Sequence, residues 1–275
     1  MPVNQTPQNL ELRITAESMG SIWQISQNHL SQFARCQRKF QYRYLEQWGL
    51  PTVDAQRERQ ILGSQFHYLL QQQSMGLDIQ PFLQENPPLQ QWFDALQQSP
   101  PPSIAGERQS EHQKTMVCEG FTLVAVYDLL IQNSQQAQIL DWKTYTRPRD
   151  LKALCRDWQT KLYPYLLVET TGYSPEQISM VYWFAQVRGK ASHSLVLPYD
   201  SDRHQQTHQE LVTMLRQLRH SLVGYERGQP FSQVQIEDGQ CDGRQHTCPF
   251  LVRCRGRSDL FVGGNDLDAI AEMPL

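Results

Sequence analysis

Nothing in the sequence is long and apolar enough to span a bilayer: no run of about 18 apolar residues occurs. The first residues, MPVNQTPQNLELRITAES, lack a basic end followed by an apolar stretch. No secretory signal is therefore expected, and the simplest address is the cytoplasm, with no membrane partner. Strong charge of one sign is missing too, with 25 Lys and Arg against 28 Asp and Glu and a net charge of −3. No overall field draws the chain to a polyanion, and any such attraction must be local. There is no internal repeat and no clear linker between two cores. What is present is 39% apolar residues in a chain of 275, enough for a real core in one large domain. Residues 23–255 are expected to form it, with 1–22 and 256–275 as peripheral or flexible tails.

Apolar spacing predicts helices over 28–48, 54–73 and 77–98, the last ended by SPPPS. Strand-like runs follow near 107–117, 121–132 and 137–145. A helix is expected over 150–172, capped by Asp150, ended at Gly172 and kinked at Pro164. Two strands flanking RGKA and a helix over 203–226 complete the pattern. Helices first, then a sheet interrupted by a helix, imply an α/β core with a helical N-terminal cap.

The stretch VYDLLIQNSQQAQILDWKT sets one acid into each of two apolar runs. If NSQQ is the turn, Gln132 faces Ala137 and Asp128 faces Asp141, with Val126 opposite Lys143 on the same face. Tyr127, Leu129, Leu140 and Trp142 then take the other face. Facing carboxylates repel. One reading is a solvated face neutralised by Lys143. The other is a divalent cation, Mg2+ or Mn2+, held by the two carboxylates, with Lys143 beside it to stabilise charge.

Asp128 followed by Asp141-Trp142-Lys143 resembles the PD-(D/E)XK nuclease superfamily, and more closely its RecB/AddB-like branch. The resemblance implies a restriction-endonuclease-like mixed sheet flanked by helices. It implies Asp128, Asp141 and the Trp142 backbone carbonyl as metal ligands, and Lys143 as the catalytic lysine. Tyr127 and Ala125 depart from residues common in that branch without removing a ligand. Gln159 and Tyr163 are similar to its Q-x3-Y element, a spacing that shares one helical face. Gly63 to His67 resembles its G-x3-H element, which makes His67 an imidazole ligand. Glu111 is a further candidate ligand, with Glu107 as its competitor. From Lys143 to Lys161, six cations stand against two acids. Arg147, Arg149, Lys152 and Lys161 are thereby candidate phosphate contacts. A solvated helix face is the plainer reading of each.

Six cysteines remain, and disulfides are not expected in the cytoplasm. Cys241, Cys248 and Cys254 crowd into fourteen residues. CPFLVRC resembles the C-terminal iron–sulfur element of AddB-type and CRISPR-adaptation nucleases, whose fourth cysteine lies in an N-terminal helix, where Cys36 stands. The resemblance implies a 4Fe–4S cluster on these four thiolates. Six residues separate Cys241 from Cys248 where the pattern usually has two. Zinc on the same cysteines, with His246, and free thiols are the rivals. Cys118 and Cys155 read as packing residues.

The whole reads as a metal-dependent DNA nuclease, exonuclease-like, of repair, recombination or defence. DNA is the expected partner, and a helicase or a repair or defence complex is a candidate one. No phosphate loop occurs in the chain, so any unwinding must come from elsewhere. The alternatives are a non-cutting nuclease-like DNA-binding module and a zinc-stabilised interaction domain.

Overall fold

The computed structural model describes residues 23–49, 54–144, 151–185, 193–235, 241 and 248–256. The helix expected over 28–48 is three pieces: α1 (Gln27–Arg35), α2 (Gln37–Phe40) and a π-helical turn (Gln41–Leu45). The break falls at Cys36, whose backbone is extended at φ −163°. Its sulfur accepts the Lys39 N–H at 3.4 Å, so a thiol caps α2 where Ser or Asp is usual. α3 (Asp54–Ser74) runs as expected. α4 (Gln80–Glu85) and α5 (Pro87–Gln98) divide the next piece at Asn86, because Pro87 opens a helix readily but cannot continue one.

The described strands form one mixed sheet: β1 (Gln24–Ile25), β2 (Glu107–Cys118), β3 (Phe121–Gln132), β4 (Ala137–Lys143), β5 (Ile178–Phe184) and β6 (His193–Pro198). Their order is β1-β3-β4-β5-β6, with β2 also paired to β3. β2, β3 and β4 run antiparallel in turn, whereas β4 and β5 are parallel. A parallel pair needs a crossover, supplied here by α6 (Leu151–Arg156) and α7 (Trp158–Glu169). The expected helix over 150–172 thus breaks at Asp157, and Pro164 stays inside α7. Asp150 and the RGKA turn lie outside the described residues. α8 (Ser201–Glu226) starts where the Asp200 carboxylate accepts the Arg203 N–H at 2.8 Å. α9 (Leu251–Arg255) is a single short turn.

Apolar layers cover both faces of the sheet. Leu123, Ala125, Tyr127, Ile139 and Tyr182 belong to a core with residues of α1, α7 and α8. Leu129, Leu140, Trp142 and Trp183 belong to a second core with residues of α3, α4 and α5. Nine of the twelve residues of α7 are buried, the pattern of a central helix. The architecture is the expected one, a restriction-endonuclease-like mixed sheet between helices with a helical cap.

The C-terminal segment returns to the N-terminal helices. Arg38 donates Nε to the Phe231 carbonyl at 2.7 Å, and the Phe231 N–H donates to Gln41 at 2.7 Å. Arg253 reaches Glu46 at 3.2 Å and lies 4.0 Å from the Trp48 ring centre. These contacts bring Cys36 to the same end as the C-terminal cysteines.

Candidate active site

The hairpin register is the expected one for its first four pairs, from Gln132 with Ala137 to Leu129 with Leu140. Pairing then stops. The next pair would set Asp128 against Asp141, and like charges there repel. Instead, Asp128 Oδ2 accepts the Trp142 N–H at 2.7 Å, and β4 continues along β5 until Lys143 stands opposite Phe184. β3 and β4 therefore open as a fork with the acids where it divides. The side-chain alternation slips at the same point. Tyr127 belongs to the α7 layer and Leu129 to the α3–α5 layer, so the two do not share a face as a regular strand would require.

On the other edge of β3, Ser110 pairs with Leu129 and His112 with Tyr127, which leaves Glu111 opposite Asp128. Glu111 adopts φ +50°, a left-handed conformation that costs a non-glycine residue about 1–3 kcal/mol. His67, from α3, places Nδ1 3.3 Å from Asp128 Oδ1. One ligand atom each of His67, Glu111 and Asp128 lie within 4.8 Å of one another. Two oxygens and a nitrogen so spaced fit a single divalent ion with bonds of about 2.1 Å. The cluster's own charges set its protonation. Burial opposes charge on His67, but Asp128 outweighs it and pushes the imidazole up to about 9. Burial and the Asp128 charge push Glu111 up to about 7. Asp128 is held below its usual range, its burial outweighed by His67 and the Trp142 N–H.

Asp141 is engaged differently. Its Oδ2 lies 2.6 Å from Lys143 Nζ, and its Oδ1 accepts from Gln159 Nε2 at 2.6 Å. Lys143 donates in turn to Gln159 Oε1 at 2.7 Å, which closes a ring of three buried side chains. The ring fixes the amide orientation, because an ammonium only donates and a carboxylate only accepts. Burial and nearby Asp128 push Asp141 up to about 6 against the pull of Lys143. Lys143 Nζ also lies 5.3 Å from the centre of the Tyr182 ring. Tyr163 lies one turn beyond Gln159, and burial with the Asp141 and Asp128 charges raises its hydroxyl pKa against the pull of Gln159. The Tyr163 carbonyl accepts the Tyr127 hydroxyl at 3.0 Å.

His67, Glu111, Asp128, Asp141, Lys143, Gln159 and Tyr163 thus meet at one fork. Trp142 is tied in by its N–H to Asp128. Lys161 points elsewhere, to Glu210 at 2.6 Å, and Lys152 is exposed on α6. Arg147 and Arg149 lie outside the described residues. Sequence reasoning missed Tyr182 and Thr144. Tyr182 carried a usable signal, since a polar ring in the run ISMVYWF needs a partner when buried. It has one in Thr160 Oγ1 at 2.8 Å.

Thr144 explains Gly63. A Cβ on Gly63 would lie 2.9 Å from Thr144 Oγ1, so glycine lets α3 approach the residue that follows Lys143. Helix propensity favours alanine by up to about 1 kcal/mol. Overpacking costs about 1–3 kcal/mol, so the clash wins. Gly63→Ala is expected to lower Tm by a few degrees, and Thr144→Ala to restore it in the double variant. Thermal melts of the four-member cycle decide it, and a single variant that melts above wild type contradicts this packing.

None of the six cysteines is in a disulfide. Cys248 is raised by burial and lies within range of the charges of Cys241 and Cys36. Cys254 is likewise raised by burial and feels Cys36 and Cys248. Among the described residues, no three of the sulfurs all lie within 4.8 Å of one another.

A mixed sheet that forks over a His–Glu–Asp cluster, with a buried lysine against a neighbouring carboxylate, is a site able to hold a divalent ion beside a fixed cation. The model of the PD-(D/E)XK nuclease superfamily matches residues 24–255, and the chain belongs to that superfamily. A search of the curated proteins finds no match. Among solved structures, the chain is similar to a protein of Eubacterium rectale provisionally named an exonuclease. The two share 14% identity over 96% of each chain, with a TM-score of 0.50. A structure called SSO0001 shares 14% identity over 87% of this chain and 91% of its own, with a TM-score of 0.40. At such identity the Eubacterium rectale structure supports the fold alone. Nucleases of the superfamily use divalent metals. Among the described residues, no helix is long and apolar enough to cross a membrane.

Proposed function

We propose that residues 23–255 form one Mg2+- or Mn2+-dependent deoxyribonuclease of the RecB/AddB-like branch. It would cleave phosphodiester bonds in an exonuclease-like manner, in DNA repair, recombination or defence. The observation that carries this reading is the closed Asp141–Lys143–Gln159 ring beside the His67–Glu111–Asp128 cluster. His67, Glu111 and Asp128 would hold the ion, with Asp141 and the Trp142 carbonyl as further ligands. When bound, a divalent ion polarises a phosphate oxygen and lowers the pKa of water. The protein contributes the rest. Lys143, held by Gln159, presents a fixed cation where negative charge grows on the phosphorus oxygens. Gln159 and Tyr163 orient the groups around it. Lys152 and Lys161, with Arg147 and Arg149, would carry the DNA backbone.

The same reading places a 4Fe–4S cluster on Cys36, Cys241, Cys248 and Cys254. Tetrahedral zinc would draw sulfurs to about 3.8 Å of one another, given bonds of about 2.3 Å. Four thiolates suit an iron–sulfur cluster, and metal analysis separates it from zinc. A helicase or a repair or defence complex is the partner this reading suggests.

Purified protein, prepared anaerobically and given Mg2+ or Mn2+, is expected to cut end-labelled single- or double-stranded DNA. Asp141→Ala is expected to be inactive. Uncut DNA with both proteins overturns the proposal.

A pH prediction follows from the ligands. His67 titrates at about 9 and Glu111 at about 7, so an arriving ion displaces both protons below pH 7. Log K for Mn2+ should then rise by about one per pH unit between 7 and 9, by about two between 6 and 7, more steeply still below 6, where Asp141 is also protonated, and level off above 9. Calorimetry across that range checks it, and a flat profile removes His67 and Glu111 from the ligand set.

A further inference from the structure

We propose that the cleft behind α7 is a second, non-catalytic site that binds the phosphate and base of a single nucleotide. The cleft encloses about 340 Å3 between α6, α7, β6 and α8. That lies at the small end of the roughly 300–1,000 Å3 of ligand pockets, room for one nucleotide and not for a strand. Its wall is apolar, formed by Pro164, Met180 and Leu197. Three hydroxyl-bearing residues line it, Thr160, Tyr199 and Thr207, which are 8%, 6% and 3% exposed. Lys152, Arg156, Lys161 and Arg203 surround the opening, and among the described residues no acidic side chain lines it.

Four cations around one concavity repel one another, and an anion relieves that. Two of them are partly answered at the rim. Lys161 pairs with Glu210 at 2.6 Å, and Arg203 with Asp200 at 3.4 Å and the Pro198 carbonyl at 2.6 Å. Lys152 and Arg156, both exposed on α6, add charge from the opposite side. A phosphate satisfies that rim, and a base covers the apolar wall. A nucleotide has both parts, whereas inorganic phosphate leaves the wall wet and a nucleoside leaves the cations unmatched.

The site lies apart from the fork but is linked to it. Gln159 turns toward Asp141, while its neighbour Thr160 is part of the cleft lining. Thr160 Oγ1 is 2.8 Å from the Tyr182 hydroxyl, and the Tyr182 ring lies under Lys143. The occupant is a free mononucleotide or the terminal nucleotide of a strand, since both present the same chemistry.

Calorimetry in EDTA tests the site without reference to cleavage. The probes are dAMP, deoxyadenosine, inorganic phosphate and a 5′-phosphorylated oligonucleotide. dAMP is expected to bind at submillimolar concentration and more tightly than either fragment. Arg156→Glu should weaken it at least about tenfold by reversing one rim charge. Gln206→Trp, an exposed position at the mouth, should block it by bulk, and Gln206→Ala, which removes only the bond to Glu210, should bind like wild type. All three variants should keep the wild-type melting profile. Tighter binding of the oligonucleotide assigns the site to a strand end, and tighter binding of dAMP assigns it to the free nucleotide. No binding of either, equal binding of deoxyadenosine, or wild-type binding by Arg156→Glu and Gln206→Trp overturn the proposal.

Discussion

Lys143→Ala is expected to slow single-turnover DNA cleavage by about a thousandfold or more while leaving the sheet intact, the scale of losing a preorganised charge at a reacting centre. The lysine is 9% exposed and gives its ammonium to Asp141 and Gln159 at 2.6 and 2.7 Å. Without it, Asp141 keeps only the Gln159 amide and stays buried. Burial already pushes Asp141 up to about 6 with the lysine in place, so its removal raises that carboxyl further. The sign follows. A raised carboxyl keeps its proton in the folded state at pH values where the unfolded chain has released it, so stability is lost as pH rises from the unfolded value to the raised folded one, and the variant parts from wild type above about 6, where the wild-type Asp141 has ionised. The variant should therefore melt close to wild type near pH 5 and well below it at pH 8. A purely structural lysine would show the melting deficit with activity restored under conditions that restore the fold. A catalytic one leaves folded protein at pH 6 that still does not cut. Cleavage within tenfold of wild type, on folded protein, would falsify the assignment.

The fork shows which parts of this site can be read from a one-dimensional chain. Hairpin arithmetic put Gln132 beside Ala137, and the first four pairs obey it. The same arithmetic put Asp128 directly across from Asp141, and there the ladder opens instead. Pattern fixes register while the strands stay paired. It does not report that two carboxylates will separate the strands and that one will take the Trp142 N–H. Nor did alternation survive, for Tyr127 and Leu129 belong to opposite layers. The cause is local, since Glu111 in a left-handed conformation interrupts the neighbouring strand opposite Asp128. Glutamate gives no forewarning of positive φ as glycine or asparagine would. The helical spacings fared better. Gln159 and Tyr163 share the face toward the fork because four residues make about one turn, whatever the surroundings. A cationic run says nothing of partners far along the chain: Lys161 belongs to one, and its ammonium lies 2.6 Å from Glu210, 49 residues away.

Cys36→Ser is expected to bleach the anaerobically purified protein, removing absorbance near about 400 nm and about four irons per chain, and to lower Tm by more than about ten degrees. The reason is topological. Ligation joins Cys36 to Cys241 and closes a loop of about 200 residues, which the unfolded chain would otherwise explore at an entropic advantage of about 5 kcal/mol. The remaining contacts at this junction are weak replacements. Arg253 is about half exposed in its pair with Glu46, and such pairs contribute about 0–1 kcal/mol. The bonds through Arg38 and Gln41 hold the segment around Phe231, and the turn with Cys248 and Cys254 is joined to it by Gln233, which donates to the Cys254 carbonyl at 2.9 Å, and to Tyr42 by the Phe250 ring, so the drop is read against these contacts. Cys36 also caps α2 through its sulfur, a role that serine fills at least as well, so loss of the cap does not explain a drop in the serine variant. Cys118→Ser and Cys155→Ser serve as controls that should keep both colour and Tm. A colourless wild type with one zinc per chain replaces iron by zinc in the same four-cysteine frame. Free thiols are the answer if metal-free wild type and Cys36→Ser melt together. The loop closure, and with it the reason for a cysteine in the extended link between α1 and α2, would then be lost.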